Sequence, residues 1–319
     1  MHEFELIKNY FFKISKKNKP ALNLADDVFF DKKKELVISI DTYNQGSHFL
    51  NFEKPDLVIK KIIRSSISDL ICKGVKPKYY FISGSGNKKT FSKRNLSKIS
   101  KSLNQEQKKY KIFLSGGDTV FSNKLSFSIT SIGFAKNIIY RNKAKVGDDI
   151  YVSGNLGDSY FGLLALQKKI NINNSSRNYF IKQYYKPNIQ LILADKLSKF
   201  ANTSIDISDG LLADMDKMIN NQELTYRLYL KDIPVSKVFH KELTKKKLKK
   251  INYISKGDDY QILFTASKLK RRIIRHMSSS FKIKMTKIGI IQKANTKSSI
   301  IGFKNEEISL KNKGFLHQF

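Results

Sequence analysis

Cysteine is nearly absent from this 319-residue chain, and no apolar run is long enough to cross a bilayer. The single cysteine, Cys72, excludes an internal disulfide and favours a reducing compartment. A membrane helix needs about 20 consecutive apolar residues, so we expect no transmembrane segment. The first residues lack a basic stretch followed by an apolar one, so we also expect no secretory leader and a cytoplasmic location.

Several familiar nucleotide- and metal-binding motifs are missing as well. The stretch 83–90 contains glycines and lysines, but its spacing is wrong for a phosphate-binding P-loop and favours a turn. The glycine-rich loop and His-Arg-Asp sets of protein kinases are absent. Cysteine and histidine do not occur at zinc-ligand spacing. If the chain binds a nucleotide or a metal ion, it does so by other means.

The 27 acidic residues are outnumbered by 60 lysines and arginines, and the formal net charge is +33. Such a charge suggests nucleic-acid binding. However, only eight of the 60 basic residues are arginines, and the lysines are spread along the whole chain. No RRM, KH, zinc-finger or helix-turn-helix signature accompanies them. We therefore predict a solvated lysine-rich surface that attracts anionic substrates, and we do not expect nucleic acid as a partner.

Strand-like and helix-like runs alternate along the chain, which predicts an α/β (or α+β) fold with a mixed sheet. Predicted strands cover residues 35–40, 78–83, 111–114, 125–134, 149–153, 204–207, 226–230, 260–265 and 284–290. Predicted helices cover residues 55–73, 95–109, 159–168, 188–200, 210–220 and 267–277. A polar stretch at 136–147 suggests two domains, at 1–137 and 138–319.

Six aspartates stand at or beside the ends of apolar runs: Asp27, Asp41, Asp69, Asp118, Asp206 and Asp209. Each alone is compatible with a helix cap or a turn. Together they suit Mg²⁺, which prefers carboxylate and phosphate oxygens and neutralises a polyphosphate during phosphoryl transfer. Strand alternation places Asp206 and Ser208 on one side, and Gly117 would let backbone amides approach a phosphate. The residues thus indicate a magnesium–polyphosphate site without fixing the acceptor.

The order of short segments along nearly the whole chain resembles the thiamine-monophosphate kinase family. That family belongs to a superfamily with aminoimidazole ribonucleotide synthetase and selenophosphate synthetase. The segments are 25–27, 40–42, 45–49, 68–70, 73–77, 116–119, 144–154, 156–159, 185–187, 205–211, 257–260 and 314–319. Each is short, so the resemblance depends on their order and separation.

The resemblance implies two α/β domains, of which the first carries an ATP site and pairs its sheet with a second subunit in a homodimer. It implies direct in-line transfer of the ATP γ-phosphoryl group to thiamine monophosphate, the last step of thiamine diphosphate biosynthesis. Several Mg²⁺ ions would take part, with ATP as co-substrate. We assign no general base, because a phosphate acceptor is already largely ionised near neutral pH.

The resemblance also implies roles for individual residues. The implied metal ligands are Asp27, Ser39, Ile40, Asp41, Asp69, Asp118, Asp206 and Asp209. The implied ATP contacts are Gly117, Asp118, Arg141 and Ser208, and the implied thiamine contacts are His48, Asp258 and Phe315. Ile40 could contribute only its main-chain carbonyl. Five positions depart from the family pattern, which usually has glycine at Ala25, threonine at Ile40, glutamate at Gln45 and Asp258, and tyrosine at Phe315.

Two alternatives remain open. One is another ATP-using synthetase of the same superfamily; a selenophosphate synthetase would need a reactive cysteine or selenocysteine near the N-terminus, whereas Cys72 falls in a predicted helix. The other is a non-catalytic basic protein that binds RNA. Acidic clusters disfavour it, because they repel phosphate backbones unless metal ions intervene.

Overall fold

Two β-sheets organise the protein in a computed structural model that describes residues 3–295, 297–308 and 314. The strands are β1 (Phe29–Asp31), β2 (Leu36–Asn44), β3 (Pro77–Gly86), β4 (Phe113–Phe121), β5 (Ser126–Phe134), β6 (Asp149–Ser153), β7 (Thr203–Asp206), β8 (Leu224–Tyr229), β9 (Ile262–Ala266), β10 (Met285–Lys293) and β11 (Ser299–Ile301). The first sheet has the order β1-β2-β5-β3-β4 and the second β11-β8-β10-β6-β9-β7. Pairing is antiparallel except at β3–β4 and β8–β11.

Helices flank both sheets. They are α1 (Glu3–Leu6), α2 (Phe12–Ser15), α3 (Pro55–Cys72), α4 (Lys93–Tyr110), α5 (Asp158–Leu166), α6 (Asn174–Tyr185), α7 (Leu211–Met218), α8 (Lys237–Lys245), α9 (Ile251–Ile254) and α10 (Arg271–Phe281). A π-helical segment covers Ile7–Phe11, and 3₁₀ segments cover Lys19–Leu24, Leu191–Asp195, Leu197–Lys199 and Lys268–Lys270. No helix of the described residues is long and apolar enough to span a bilayer.

Helix α3 lies at the junction of the two sheets. It begins with Pro55, whose fixed φ suits the first helical turn, and the chain turns away at Gly74 with φ +78°. It contacts β2 and β5 of the first sheet and β7 of the second. Ile129 of β5 and Phe264 of β9 belong to one buried apolar cluster, so a single core joins the two sheets around this helix.

Most predicted elements are confirmed, and so is the mixed α/β class. Five helices were not predicted: the four-residue helices α1, α2 and α9, and the longer α6 and α8. Both α6 and α8 begin at a side-chain cap. Asn173 accepts from the Ser176 N–H at 2.8 Å, and Ser236 accepts from the Phe239 N–H at 3.0 Å. The predicted helix 188–200 is wrong, because short 3₁₀ turns bury the same leucines. The sheets fall on either side of residue 137, while the domain boundary itself stays a prediction.

A charged pair is buried where α3 packs against α4. Arg64 Nε and Nη2 donate to the two carboxylate oxygens of Glu106 at 2.8 and 3.1 Å, and Arg64 Nη1 donates to the Pro187 carbonyl at 3.1 Å. Both side chains are less than a tenth exposed. The bidentate geometry satisfies both partners, so neither charge is left alone in the core.

We expect Glu106→Gln to lower the free energy of unfolding by about 3 to 5 kcal/mol, because it strands the Arg64 charge in a buried site. The matched control is Asp195→Asn. This substitution breaks the ion pair of Asp195 with Lys76, whose side chain is 58% exposed while that of Asp195 is 44% exposed. It should change the free energy of unfolding by less than about 1 kcal/mol. Urea denaturation followed by circular dichroism measures both. Equal effects of the two substitutions would contradict the burial argument.

Candidate active site

A cleft of about 420 Å³ contains most of the residues that the sequence singled out. Strand β2 and helix α3 contribute one wall, and the segments that follow β7 and precede β9 contribute another. The predicted site residues that line it are Asp27, Ile40, Asp41, His48, Asp69, Arg141, Asp206, Ser208, Asp209 and Asp258. The fold therefore gathers residues from both halves of the sequence.

Three carboxylates, which we call the inner aspartates, come from three different elements. Asp41 lies on β2, Asp69 in the last turns of α3, and Asp206 at the end of β7. On β2, Asp41 lies two residues from each of the buried residues Ser39 and Tyr43, so all three side chains face the same side of the strand. The Tyr43 hydroxyl donates to Asp41 Oδ2 at 2.9 Å.

The inner aspartates repel one another in a buried setting. Burial raises the pKa of Asp69 well above its usual range, and the charges of Asp41 and Asp206 raise it further. Burial also raises the pKa of Asp206 to about 7, against a hydrogen bond from Ser68. The Ser39 hydroxyl donates to Asp69. Buried carboxylates that repel one another and accept hydrogen bonds from hydroxyl groups suit a cation-binding site.

A second carboxylate pair, Asp26 and Asp27, precedes β1 and is held by two cations. Lys73 Nζ lies 2.8 Å from Asp26 Oδ1 and 2.7 Å from Asp27 Oδ2. Arg141 Nε donates to Asp27 Oδ2 at 3.0 Å, and its backbone N–H donates to Asp26 Oδ2 at 2.9 Å. The predicted ATP contact Arg141 and the predicted metal ligand Asp27 thus pair with each other.

Asp209 also has a basic partner. Lys217 donates to Asp209 and lies 3.2 Å from Asp214 Oδ1. Asp214, one turn into α7, accepts from the backbone N–H groups of Asp209 and Gly210 at 2.9 and 3.0 Å. Burial raises the pKa of Asp214 to about 6, although Lys217 opposes that rise. This arrangement fixes the turn that presents Asp209 to the cleft.

The predicted acceptor wall is built around Asp258. Lys61 Nζ, buried in α3, lies 2.7 Å from Asp258 Oδ1, and the Tyr260 hydroxyl donates to the same oxygen at 3.0 Å. The Lys61 ammonium also lies 4.0 Å from the centroid of the Tyr184 ring. Burial lowers the pKa of Lys61, while Asp258 works against that shift. Lys61 and Tyr260 therefore fix the position of the Asp258 carboxylate.

His48 lies in the loop after β2. Its Nδ1 accepts from the Asn44 backbone N–H at 3.0 Å, so a neutral imidazole carries its hydrogen on Nε2. The ring meets Tyr43 edge to face, with centroids 5.8 Å apart. Backbone and aromatic contacts thus orient the imidazole.

Gly257 allows the two loops of the far wall to touch. A Cβ at this position would lie 1.8 Å from the Ser208 carbonyl oxygen. The close approach lets the Asp258 N–H donate to the Ser208 carbonyl at 2.8 Å, and the Tyr260 N–H donate to the Ile207 carbonyl at 2.8 Å. Any side chain at Gly257 would separate Asp258 from the Asp206–Asp209 segment.

Gly117 and Asp118 lie elsewhere in the chain's fold. They belong to β4, an edge strand that is exposed at every position, and not to a loop after a strand as predicted. Asp118 is three strands from Thr42 in register, which at about 4.8 Å per strand is about 14 Å from the cleft wall. A Cβ at Gly117 would lie 1.9 Å from the Ile82 carbonyl oxygen, so strand packing accounts for this glycine.

Three further predicted residues complete the set. Ser39 is buried and supports Asp69 through its hydroxyl. The Ile40 side chain is 69% exposed on the opposite side of β2 from Asp41. Phe315 lies outside the described residues.

No three His, Cys, Asp or Glu side chains within residues 3–295, 297–308 and 314 converge closely enough to enclose a single ion. The inner aspartates line the cleft as separate carboxylates. Mg²⁺ usually binds through one or two carboxylates and completes its shell with water and substrate phosphates. The donor set therefore fits magnesium that arrives with a polyphosphate, and does not fit an all-protein cage.

Lysines are the residues that the sequence did not reveal. Lys61, Lys73 and Lys217 each hold an aspartate of the cleft. Buried lysine is rare, so a lysine inside the apolar helical stretch 57–71 was a usable signal for Lys61. In a chain with 60 basic residues, that signal does not stand out.

The chain is similar to several known proteins. Residues 24–135 match the family model described as AIR synthase related protein, N-terminal domain. Thiamine-monophosphate kinase of Buchnera aphidicola subsp. Acyrthosiphon pisum is 34% identical, over 99% of this chain and 98% of that protein. Thiamine-monophosphate kinase of Escherichia coli K12 is 30% identical, over 84% of each chain.

The chain is also similar in structure to solved proteins. AaThiL complexed with AMPPCP and TMP superposes with a TM-score of 0.84 at 26% identity, covering 99% of this chain and 97% of that one. Thiamine monophosphate kinase from Aquifex aeolicus gives a TM-score of 0.79 at 25% identity, covering 97% and 99%. Because relatives above 30% identity match this chain over nearly its whole length, the chain belongs to the thiamine-monophosphate kinase family.

Proposed function

We propose that this protein transfers the γ-phosphoryl group of ATP to thiamine monophosphate and so forms thiamine diphosphate. The observation that carries the proposal is the set of inner aspartates, Asp41, Asp69 and Asp206, which repel one another in a buried cleft. The names of its full-length relatives support the acceptor, and a similar solved structure holds an ATP analogue and TMP.

Magnesium is the cation that best fits this site. Asp41, Asp69 and Asp206 would hold it, with Asp209 at the cleft edge and Ser39 supporting Asp69. Ile40 could add only a carbonyl. When bound, the ions would neutralise the polyphosphate and the charge that develops during transfer. We propose several ions, because a nucleotide triphosphate and a phosphate acceptor together carry more charge than one ion offsets.

The protein's own residues then hold two anions in line. Arg141 and Ser208 line the cleft near the inner aspartates and suit the nucleotide phosphates. His48 and Asp258 lie on the acceptor side, and Phe315 keeps its proposed role as an aromatic contact to thiamine. We propose no general base, since the acceptor oxygen is already largely ionised near neutral pH. Orientation and charge neutralisation supply the catalysis.

The alternatives fare less well. A reactive thiol for selenophosphate chemistry is not available, because Cys72 is fully buried and burial raises its pKa well above the usual value. RNA binding finds no support in a cleft lined by aspartates. A buried thiol and the absence of a bilayer-spanning helix among the described residues suit our proposal of a cytoplasmic enzyme.

We further propose that the chain works as a homodimer joined through the outer face of its first sheet. Apolar side chains are exposed there on neighbouring strands: Tyr79, Phe81, Phe113, Val120 and Phe134. A cluster of exposed apolar side chains on one face of a sheet suits a protein partner. A second copy would cover the exposed edge strand β4, and a two-fold axis would make the contact mutual.

A homodimer would also give Gly117 and Asp118 a role. Within one chain, about 14 Å of sheet separates Asp118 from the cleft wall, too far to share an ion with the inner aspartates. We propose that both residues act on the nucleotide bound by the partner chain. The two domains, 1–137 and 138–319, would then contribute the sheet and the covering wall of each site.

We expect Asp206→Asn to stabilise the metal-free protein by about 1 to 3 kcal/mol at pH 8, because it removes a buried charge that repels its neighbours. The wild-type carboxyl titrates near 7 in the fold and near 4 when unfolded, so its stabilising contribution at acid pH is lost as pH rises toward 7. The gain should therefore vanish near pH 4. Thermal unfolding in EDTA measures it.

The same experiment has a control and a second arm. Asp195→Asn removes an exposed charge and should leave the melting temperature unchanged. Added Mg²⁺ should raise the melting temperature of the wild type more than that of Asp206→Asn. Equal magnesium effects on both proteins would show that Asp206 does not belong to the metal site.

A coupled ADP-release assay with thiamine monophosphate and Mg²⁺ tests the function itself. We expect acceptor-dependent turnover that Asp41→Asn reduces at least about 100-fold, because this residue offers a metal-binding charge needed in the transition state. Circular dichroism should stay unchanged. No acceptor-dependent ADP release by the wild type would overturn the proposed function, and near-normal turnover by Asp41→Asn would remove that residue from the site.

Mixing two inactive variants tests the shared site. If Asp118 acts on the partner's nucleotide, Asp118→Asn and Asp206→Asn chains should complement after co-expression. When the two variants pair at random, about half of the dimers contain one chain of each variant. Each such mixed dimer has one intact site out of two, so the mixture should regain about a quarter of wild-type activity. Two variants acting in the same chain's site would restore none.

A further inference from the structure

Lys73 is an unusual residue for its position. It follows the last turn of α3, and its side chain is fully buried. A lysine is almost never fully buried unless it is paired. Its ammonium lies 2.8 Å from Asp26 Oδ1 and 2.7 Å from Asp27 Oδ2, and it donates to the Ser204 carbonyl at 2.8 Å. All three contacts lie outside its own helix.

The three contacts engage all the hydrogens of the Lys73 ammonium group. A lysine ammonium offers three hydrogens, and Lys73 has three oxygen partners at bonding distance. Asp26 and Asp27 lie in the cleft wall, while Ser204 lies on β7 of the second sheet. The ammonium therefore links the first sheet's entry segment, α3 and β7, as a bound metal ion would.

The charges of this first aspartate pair are already balanced. Besides Lys73, the Arg141 guanidinium contacts both oxygens of Asp27, and the Arg141 backbone N–H donates to Asp26. Two carboxylates thus meet two permanent cations. Every carboxylate oxygen of the pair has a nitrogen partner.

The inner aspartates are served differently. Asp69 accepts a hydrogen bond from the Ser39 hydroxyl, and Asp206 has one from Ser68. A hydroxyl group brings no charge, so these carboxylates still favour a cation. The negative charge of Asp26 and Asp27 is thus neutralised by residues of the protein, whereas the negative charge of the inner aspartates is not fully neutralised.

A divalent ion at Asp27 would have to bind within about 2.1 Å of a carboxylate oxygen. The Lys73 ammonium is already 2.7 Å from Asp27 Oδ2, with its three hydrogens engaged. Two cations on the same oxygen in a buried site repel each other strongly, because the interior screens charge poorly. The Lys73 side chain is fully buried, so water does not screen this repulsion.

We propose that the Lys73 ammonium is a built-in cation that replaces a divalent metal ion at Asp26 and Asp27. Divalent ions then bind at the inner aspartates Asp41, Asp69 and Asp206 and not at Asp26 or Asp27. The inference rests on the proposed magnesium-dependent function and narrows it, because Asp27 becomes a partner of Lys73 and Arg141 and ceases to be a metal ligand.

Crystals of the wild-type protein grown with Mn²⁺ and AMPPCP test this directly by anomalous scattering. We expect Mn²⁺ peaks in contact with the inner aspartates and none in contact with Asp26 or Asp27. A peak bonded to Asp27 would overturn the inference and leave the proposed function standing. Absence of any peak at the inner aspartates would overturn the proposed metal site, and the inference with it.

A variant gives an independent count. Lys73→Met should bind one more Mn²⁺ per chain than the wild type when titrated and followed by electron paramagnetic resonance. Its melting temperature in EDTA should fall and recover with Mn²⁺. Lys76→Met, three residues further on at an exposed pair with Asp195, is the matched control and should bind the wild-type number. An unchanged count in folded Lys73→Met would contradict the proposal.

Discussion

Repulsion among carboxylates at the junction of the two sheets is the constraint on which the rest of this molecule depends. A folded chain does not gather buried aspartates unless something offsets their charge, because an unpaired buried charge costs more than ordinary packing returns. Here the charge is offset in two ways. Lys73 and Arg141 neutralise the first aspartate pair. Asp69 and Asp206 accept hydrogen bonds from uncharged hydroxyl groups, and their pKa values stay raised although the Lys73 charge opposes the rise, so they favour a cation from outside.

Helix α3 carries most of this balance. Three charged residues on it, together with Lys73 directly after its last turn, are buried or nearly so. Three of these four meet a partner from another part of the chain: Lys61 meets Asp258, Arg64 meets Glu106, and Lys73 meets Asp26. The fourth, Asp69, faces the cleft. One rigid element thus sets the positions of the acceptor wall, the core and the metal-binding end together. A shift of this helix would disturb all three at once.

Sequence reasoning was most accurate where a local rule suffices. The helix from Pro55 is confirmed because its apolar spacing, its proline start and its glycine stop all agree. The predicted helix at 188–200 was wrong because apolar spacing alone does not distinguish an α-helix from 3₁₀ turns that bury the same leucines. The predicted strand 111–114 is too short, because the glycines at 116 and 117 suggest a loop but lie within β4.

The sequence by itself determined the family, the mixed fold and the aspartates that matter, because each depends on residue types in a fixed order. Only the tertiary structure decided how those aspartates divide. It placed Asp118 on an exposed edge strand, paired Asp27 with Lys73, and left Asp69 exposed to the charges of Asp41 and Asp206. The reason is that charge balance is a property of distances between segments. In a chain so rich in lysine, no local pattern tells which lysine will be buried beside a carboxylate.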